Sequence, residues 1–425
     1  MDSHIPVEVE LIYEVMPCNA LRCSQDPVNE PHPCSYFRKW GTYNSYDYIK
    51  DGAPVNREIQ QPSEYKGKSY LLPEVLSGCR KAPILCLGIN PNLAGFWEAK
   101  RNSIYPLFDD FQQYAHYFRY RNTAKLALPE KKYVEYGGGK EDTPFSNKDL
   151  KVPANSKGIR QIPTELQNQE MYLAYQNLLD SLADRMNWKQ HQLSVGEDIS
   201  YGNMVACASA KWITQKDPAV PDMPPMTVKE KDGIVQECFF KRKYFVRQLI
   251  QTLPKIILIF SQTTANAFIS TFKEAFTEGH PAVNESIESL LKRKIVLRLG
   301  ALPGGEVATA RIIFAPHITG DPVKFKASKA KIIDQLEEEA KSKNIRLNSH
   351  TGHLMRPPGS CTLCPSMQIG KCDYEHEIVS LTGNEKLYPE TAVHLLKADK
   401  SHQYSMIEKL SNLKFVSRDW NEAKE

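Results

Sequence analysis

Apolar runs closed by turn formers mark out the middle of this chain. Pro83-Ile84-Leu85-Cys86-Leu87-Gly88-Ile89 is continuous and stops at Asn90-Pro91-Asn92, and similar runs follow at 203–208, 256–260, 294–299 and 311–315. Unbroken rather than alternating runs suit strands covered on both faces, as in a parallel sheet. Helical periods lie between them. Leu166, Tyr172, Tyr175, Leu178, Leu179, Leu182 and Met186 keep largely to i, i+3, i+4 spacing. Ser261 to Phe276 opens on hydroxyl residues able to cap and carries Ala265, Phe268, Phe272 and Phe276 along one side. Strands alternating with helices predict an α/β fold, a three-layer sandwich around a central, mostly parallel sheet of four or five strands. Ligands of such folds bind beyond the carboxyl ends of the strands.

The pattern divides the chain. Residues 1–75 are rich in Pro, Asn, Tyr and Cys without a sustained period and read as an irregular lobe. Residues 76–343 hold the α/β core, with insertions at 120–165 and 214–235 that read as surface loops or lids. The first insertion contains Gly137-Gly138-Gly139, which no strand precedes and no Gly-Lys-Ser/Thr follows, so it reads as a loop and not a phosphate cradle. Residues 344–425 form a Cys- and His-containing C-terminal region.

Composition narrows the class. Of 425 residues 41% are hydrophobic and 24% charged, which excludes wholesale disorder and coiled coil. The 54 basic and 50 acidic residues nearly cancel, so only a clustered basic stripe can speak for nucleic acid. No apolar string is long enough to span a bilayer, and the first residues lack a basic leader, so a cytoplasmic protein without a membrane partner is expected. Ten cysteines are few for this length, which favours thiols or metal ligands over disulfides. Cys86 and Cys207, inside apolar runs, read as small core residues.

Leu87-Gly88-Ile89-Asn90-Pro91-Asn92 resembles the first motif of the uracil-DNA glycosylase superfamily, in particular the Gly-Ile-Asn-Pro-Gly turn of its mismatch-specific thymine/uracil branch. Asn203-Met204-Val205-Ala206-Cys207 resembles the strand that presents an Asn to the flipped base. Ala315-Pro316-His317-Ile318-Thr319-Gly320 resembles the later His-Pro-Ser or Asn-Pro-Ser loop. The matches stand in family order over roughly residues 80–340. Asn92 replaces the turn's final Gly, and Ile318-Thr319 replaces Pro-Ser.

The resemblance implies hydrolysis of an N-glycosidic bond in DNA, with a modified or mismatched pyrimidine flipped out and an abasic site left behind. It extends to antiviral glycosylases that remove glucosylated hydroxymethylcytosine from phage DNA. Such chemistry builds positive charge on the sugar and negative charge on the base, and needs a held water and donors aimed at the base. Asn90 and His317 are the expected catalytic residues, the first holding water, the second donating to the base carbonyl or protonating a ring nitrogen. Gly88, Ile89 and Pro91 shape the turn. Asn203 offers a donor and an acceptor to the Watson–Crick edge, and Tyr105, among Phe96, Trp97 and Phe108, is the candidate stacking ring. Glu98, Asp109 and Asp110 are carboxylates nearby.

Behind His317, Lys324, Lys326, Lys329 and Lys331 offer charge for phosphates flanking a flipped nucleotide. Val323 or Phe325 is placed to wedge into the vacated stack. Lys324, Phe325, Lys326 and Lys329 are therefore the expected contacts to DNA, whether a duplex with a flipped base or a single strand.

Cys361-x2-Cys364-x7-Cys372-x3-His376 has the donor set and spacing of a structural zinc site, with an iron–sulfur cluster as the alternative and His350 and His353 as substitute ligands. Cys18, Cys23 and Cys34, with His32, match metal spacing less well. Neither cluster has an open position for catalysis, so no cofactor is expected to take part in the reaction. Two other readings fit the residues: a zinc-containing nucleic-acid-binding protein without catalysis, and an N-glycosidase acting on free nucleosides or nucleotides.

Overall fold

The structure is a computed structural model that describes residues 78–79, 81–89, 169–207, 233–235, 237–238, 244–301, 307–349 and 351–356. It also describes two short antiparallel ladders, Ile49–Lys50 with Ala53–Pro54 and Ala127–Pro129 with Ile159–Gln161. The core elements in chain order are β1 (Ile84–Gly88), α1 (Gln169–Arg185), β2 (Ile199–Asn203), α2 (Tyr244–Thr252), β3 (Ile256–Phe260) and α3 (Gln262–Phe272). They continue with β4 (Phe276–Glu278), α4 (Ile287–Leu290), β5 (Ile295–Ala301), β6 (Val307–Ala315) and α5 (Pro322–Lys341).

The fold is α/β, and its sheet is mixed. Six strands lie in the order β2-β1-β3-β6-β5-β4. β2, β1, β3 and β6 are mutually parallel, while β5 is antiparallel to β6 and β4 antiparallel to β5. This corrects the expectation of four or five mostly parallel strands. The apolar run at 294–299 is a strand as expected, but an apolar run carries no strand direction, and the added edge strand β4 is only three residues long. The run at 203–208 is corrected as well. The strand lies upstream, with Asn203 as its last residue.

Burial explains the apolar runs. All five residues of β3 and the first four of β1 are buried, because central strands have neighbours on both faces. Ile84, Cys86, Ile256, Leu258, Phe260, Ile313 and Ala315 face a cluster built from α1 and α5. Leu85, Leu87, Ile257, Ile259, Ile312 and Phe314 alternate with them and are equally buried. α3 packs on β3, and its Phe272 meets Phe245 of α2 edge-on with ring centroids 6.2 Å apart.

The helices follow their sequence signals closely. α1 buries Tyr172, Tyr175, Leu178, Leu179 and Leu182 and leaves Leu173 exposed, as a 3.6-residue period dictates. The Ser261 hydroxyl caps α3 by accepting from the Thr264 N–H. Phe276 ends that segment as the first residue of β4 rather than as part of the helix. Asp321 caps α5, with Pro322 in the first turn, where its missing N–H costs nothing. Arg185 of α1 reaches Asp334 and Glu337 of α5 and ties the two helices across their exposed rims.

The core does not stop at residue 343. Ile345 and Leu354 belong to the cluster under α1 and α5, and Leu347 and Leu354 form an antiparallel bridge. The buried Asp198 carboxylate anchors this hairpin by accepting from the Leu354 N–H at 2.7 Å and pairing with His353 Nδ1 at 2.7 Å. The buried Arg356 donates to the Glu197 carbonyl at 2.7 Å. Residues 344–356, assigned from the sequence to the C-terminal region, thus pack as part of the α/β unit.

Candidate functional site

Because β2, β1, β3 and β6 are parallel, their carboxyl ends share one edge of the sheet, where α/β proteins bind ligands. Three segments singled out from the sequence meet there: Gly88 ends β1, Asn203 ends β2 and His317 lies two residues beyond β6. Gly88 is in register with Asn203. The pairing runs on past the strand ends, with Met204 N–H donating to the Gly88 carbonyl at 3.1 Å and Val205 N–H to the Ile89 carbonyl at 2.9 Å. Ile89, the last described residue of this segment, therefore lies directly beside the end of β2.

Asn203 is 5% exposed, and its two amide atoms differ in their surroundings. Oδ1 accepts from the Tyr201 hydroxyl at 3.1 Å. Nδ2 is buried and meets no acceptor among the described residues. An orphaned buried donor costs about 1–3 kcal/mol until an acceptor meets it. Gly88 makes the arrangement possible, because a Cβ there would stand 2.8 Å from both Asn203 Oδ1 and Tyr201 Oη. Tyr201 has little room to yield, with its ring packed 6.3 Å from Tyr172 and 6.4 Å from Tyr175. Burial pushes the Tyr175 hydroxyl and the Cys86 thiol well above their ordinary pKa values, so this layer stays uncharged.

His317 is held in a single tautomer. Its Nδ1 accepts the Gly320 N–H at 2.8 Å and lies 3.3 Å from the Thr319 hydroxyl, which leaves the ring proton on Nε2. Burial lowers its pKa, so the ring is neutral at pH 7 and offers Nε2–H as a donor. The turn closes with the Asp321 N–H on the His317 carbonyl at 3.0 Å. From β2 to β6 the sheet is three strand spacings wide, about 14 Å.

A third residue at this edge had no sequence signal beyond its capping hydroxyl. Ser261 follows β3 with φ 93° and ψ 148°, a conformation that L side chains rarely adopt. Its N–H donates to the Ala315 carbonyl at 3.0 Å, locking the end of β3 to the end of β6 next to His317. Strained backbone held in place by its surroundings tends to occur at functional edges.

The segment after His317 differs from its sequence reading. Phe325 is buried in the core, 6.2 Å from the Phe260 ring, so it is not placed to wedge into DNA. Val323, 78% exposed, is the apolar residue that projects. The lysines do not form one stripe. At about 100° per residue, Lys324 and Lys331 share a flank of α5, Lys326 lies on the opposite flank and the half-buried Lys329 sits beside the core face. Lys324 is paired with Asp321 at 3.3 Å, in keeping with its place in the capped first turn.

Asn90, Pro91 and Tyr105 lie outside the described residues, as do Cys361, Cys364, Cys372 and His376 and the cysteines at 18, 23 and 34. Among the described residues no group of His, Cys, Asp and Glu is assembled to hold a metal ion. His353, a substitute ligand on sequence grounds, spends Nδ1 on Asp198. Cys86 and Cys207 are buried, as their apolar runs imply. No helix among the described residues is long and apolar enough to cross a membrane.

Compared with known proteins, the chain matches no family model and none of the curated sequences. Its chemistry has to be read from the site. Two uncharged donors, Asn203 Nδ2 and His317 Nε2–H, stand at one sheet edge, one on each side of β1 and β3.

Proposed function

We propose that the protein is a DNA glycosylase that takes a flipped pyrimidine into the sheet edge bounded by Gly88, Asn203 and His317 and hydrolyses its N-glycosidic bond. The observation that carries this reading is the buried Asn203 amide nitrogen, which meets no acceptor among the described residues, at the same sheet edge as a neutral histidine that can only donate through Nε2. A pyrimidine presents acceptors to both: ring atoms of its Watson–Crick edge to Asn203 and the O2 carbonyl to His317. Segments resembling the three motifs of the uracil-DNA glycosylase superfamily meeting at that edge support the same class, and an α/β fold is the class of architecture expected of it.

In the reaction a water oxygen forms a bond to C1′ while the C1′–N1 bond breaks, and the electron pair leaves with the base. Negative charge then grows on O2. A fixed neutral N–H donor gains strength as that charge develops, which lowers the barrier by about 2.7–4 kcal/mol per well-placed donor. His317 supplies that donor without giving up its proton, and the departing anion is protonated from solvent. Asn90 holds the water and Tyr105 stacks on the base. Val323, with Lys324 beside it in the first turn of α5, holds the opened strand. A structural zinc on Cys361, Cys364, Cys372 and His376 steadies the C-terminal region, and metal analysis by mass spectrometry tests it separately.

The test is incubation with duplexes carrying uracil, thymine mismatches or modified cytosines, followed by alkali. Strand breaks at the altered base that disappear in Asn203→Ala support the proposal. Binding without breaks on any substrate favours a non-catalytic nucleic-acid-binding protein, and turnover of free nucleosides alone favours a nucleoside hydrolase.

A further inference from the structure

The charges of α5 run in an order that the helix itself does not favour. Lys324, Lys326, Lys329 and Lys331 fall in its first half, and Asp334, Glu337, Glu338 and Glu339 in its second. Helix ends prefer the reverse, with acids near the partly positive N-terminus and bases near the C-terminus. Several of these groups have partners. Lys324 pairs with Asp321, Asp334 and Glu337 with Arg185, Glu337 also with Lys341, and the buried Glu339 with Arg311. Lys326 and Glu338 are exposed and make no ion pair among the described residues. Their own helix cannot serve them. Three and four residues from Lys326 stand Pro322, Val323, Lys329 and Ala330, and the lysine within reach of Glu338 is Lys341, already on Glu337.

These two groups end one ridge. Lys326, Ala330, Asp334 and Glu338 follow one another at four-residue intervals, and all four are exposed. Ala327 beside them is exposed as well, so nothing bulky keeps a second helix away. A ridge that is basic at one end and acidic at the other is complementary to itself once turned round. An antiparallel copy sets Lys326 against Glu338 and Ala330 against Asp334, and the twofold axis, passing beside residue 332, repeats both contacts. A parallel copy sets like charge against like. A nucleic-acid backbone matches the lysine end alone and is repelled by Asp334 and Glu338.

We infer that the protein self-associates as a twofold dimer through the outer face of α5, with the ridge from Lys326 to Glu338 packed antiparallel against its copy. The contact runs along about 18 Å of helix, at 1.5 Å per residue. Ridges of this kind cross at about −50°, so the helices diverge before the first turn and leave Val323 and Lys324 outside the contact. An interface this small is weak, and its exposed ion pairs are screened by salt.

Sedimentation equilibrium of the full-length protein, freed of nucleic acid, measures the association. The expected result is a monomer–dimer equilibrium at protein concentrations up to about 100 µM, weakened about tenfold when salt is raised from about 0.05 M to about 0.5 M. Lys326→Glu and Glu338→Lys should each weaken it at least tenfold, because symmetry makes each change create two like-charged pairs. The double variant exchanges the two charges and should restore the dimer to within about threefold of wild type. Both changes bring the helix closer to its dipole preference, so circular dichroism should show the fold retained. A wild type that stays monomeric at every concentration overturns the inference. So does a dimer unchanged in both single variants, or a double variant no tighter than the single ones. A monomeric wild type whose DNA affinity falls in Lys326→Glu also overturns it and assigns the lysine end to a nucleic-acid backbone.

Discussion

Tyr201 and Asn203, two residues apart on one strand, point to the same side of the sheet, and the tyrosine hydroxyl donates to the amide oxygen at 3.1 Å. The pair fits only because residue 88 on the neighbouring strand has no side chain. Gly88→Ala should therefore displace both polar groups, since a Cβ would lie 2.8 Å from each. The expected cost is about 1–3 kcal/mol of stability, typical of an overpacked site. Base-release activity should fall by more than that loss implies. Urea unfolding and a base-release assay on the same preparation check the two effects.

His317 gives a pH prediction. Burial holds its pKa below the ordinary 6.5, so the folded chain takes up this proton at lower pH than the unfolded chain does. Its contribution to stability is complete above pH 6.5 and is lost as pH falls through 6.5 toward the folded value. Protonation also abolishes the Nδ1 acceptor used by the Gly320 N–H. The acid limb of kcat/KM should accordingly lie below pH 6.5, and His317→Gln should flatten it while lowering the plateau. A limb centred above 6.5 that survives in His317→Gln would assign the titration to another group.

Val323 and Phe325 separate surface from core. Phe325→Ala should cost about 3–5 kcal/mol, as loss of a buried ring does. Val323→Ser, at a position 78% exposed, should leave the midpoint of unfolding within error and weaken binding to DNA. Thermal melts with a DNA-binding titration distinguish the two. If Val323→Ser binds DNA like the wild type, the projecting residue has no part in the interface.

Asp198 holds the hairpin at 345–356. Its carboxylate accepts the Ser194 N–H at 2.8 Å, the Leu354 N–H at 2.7 Å and pairs with His353, all in the interior. Asp198→Ala removes the acceptor from the Ser194 and Leu354 N–H groups and the charge beside the buried Arg356, with an expected loss of about 3–5 kcal/mol in denaturant unfolding. The end of the sheet that carries Asn203 and His317 is the opposite one, so the variant should keep its substrate preference wherever it remains folded.

What was readable beforehand follows from physics that acts locally. β1, β3 and β6 were legible because central strands bury both faces and so lose their polar residues. β2 carries no apolar run, because Ile-Ser-Tyr-Gly-Asn is polar in sequence although Ser200 and Asn203 are buried at the strand's place in the sheet. Gly88, Asn203 and His317 were found through short motifs at strand ends. The Tyr201 hydroxyl, the strained Ser261 and the bond between Asp198 and His353 were not, since each depends on a neighbour fixed only by the tertiary fold. The last of these joins residues 155 apart in sequence, where no local pattern can announce it. Phe325 was assigned to the surface because a lysine-rich stretch hides the single buried position within it.

A sheet edge that cleaves a pyrimidine from DNA releases the free base, which mass spectrometry detects. Duplexes carrying uracil, mismatched thymine or modified cytosines, incubated with the full-length protein, should yield the free base and an abasic site in equal amounts. Asn203→Ala and His317→Ala should lower the rate at least a hundredfold while the proteins stay folded. Absence of any free base from the whole panel with metal-replete wild-type protein, or release at an undiminished rate by both variants, would contradict the account.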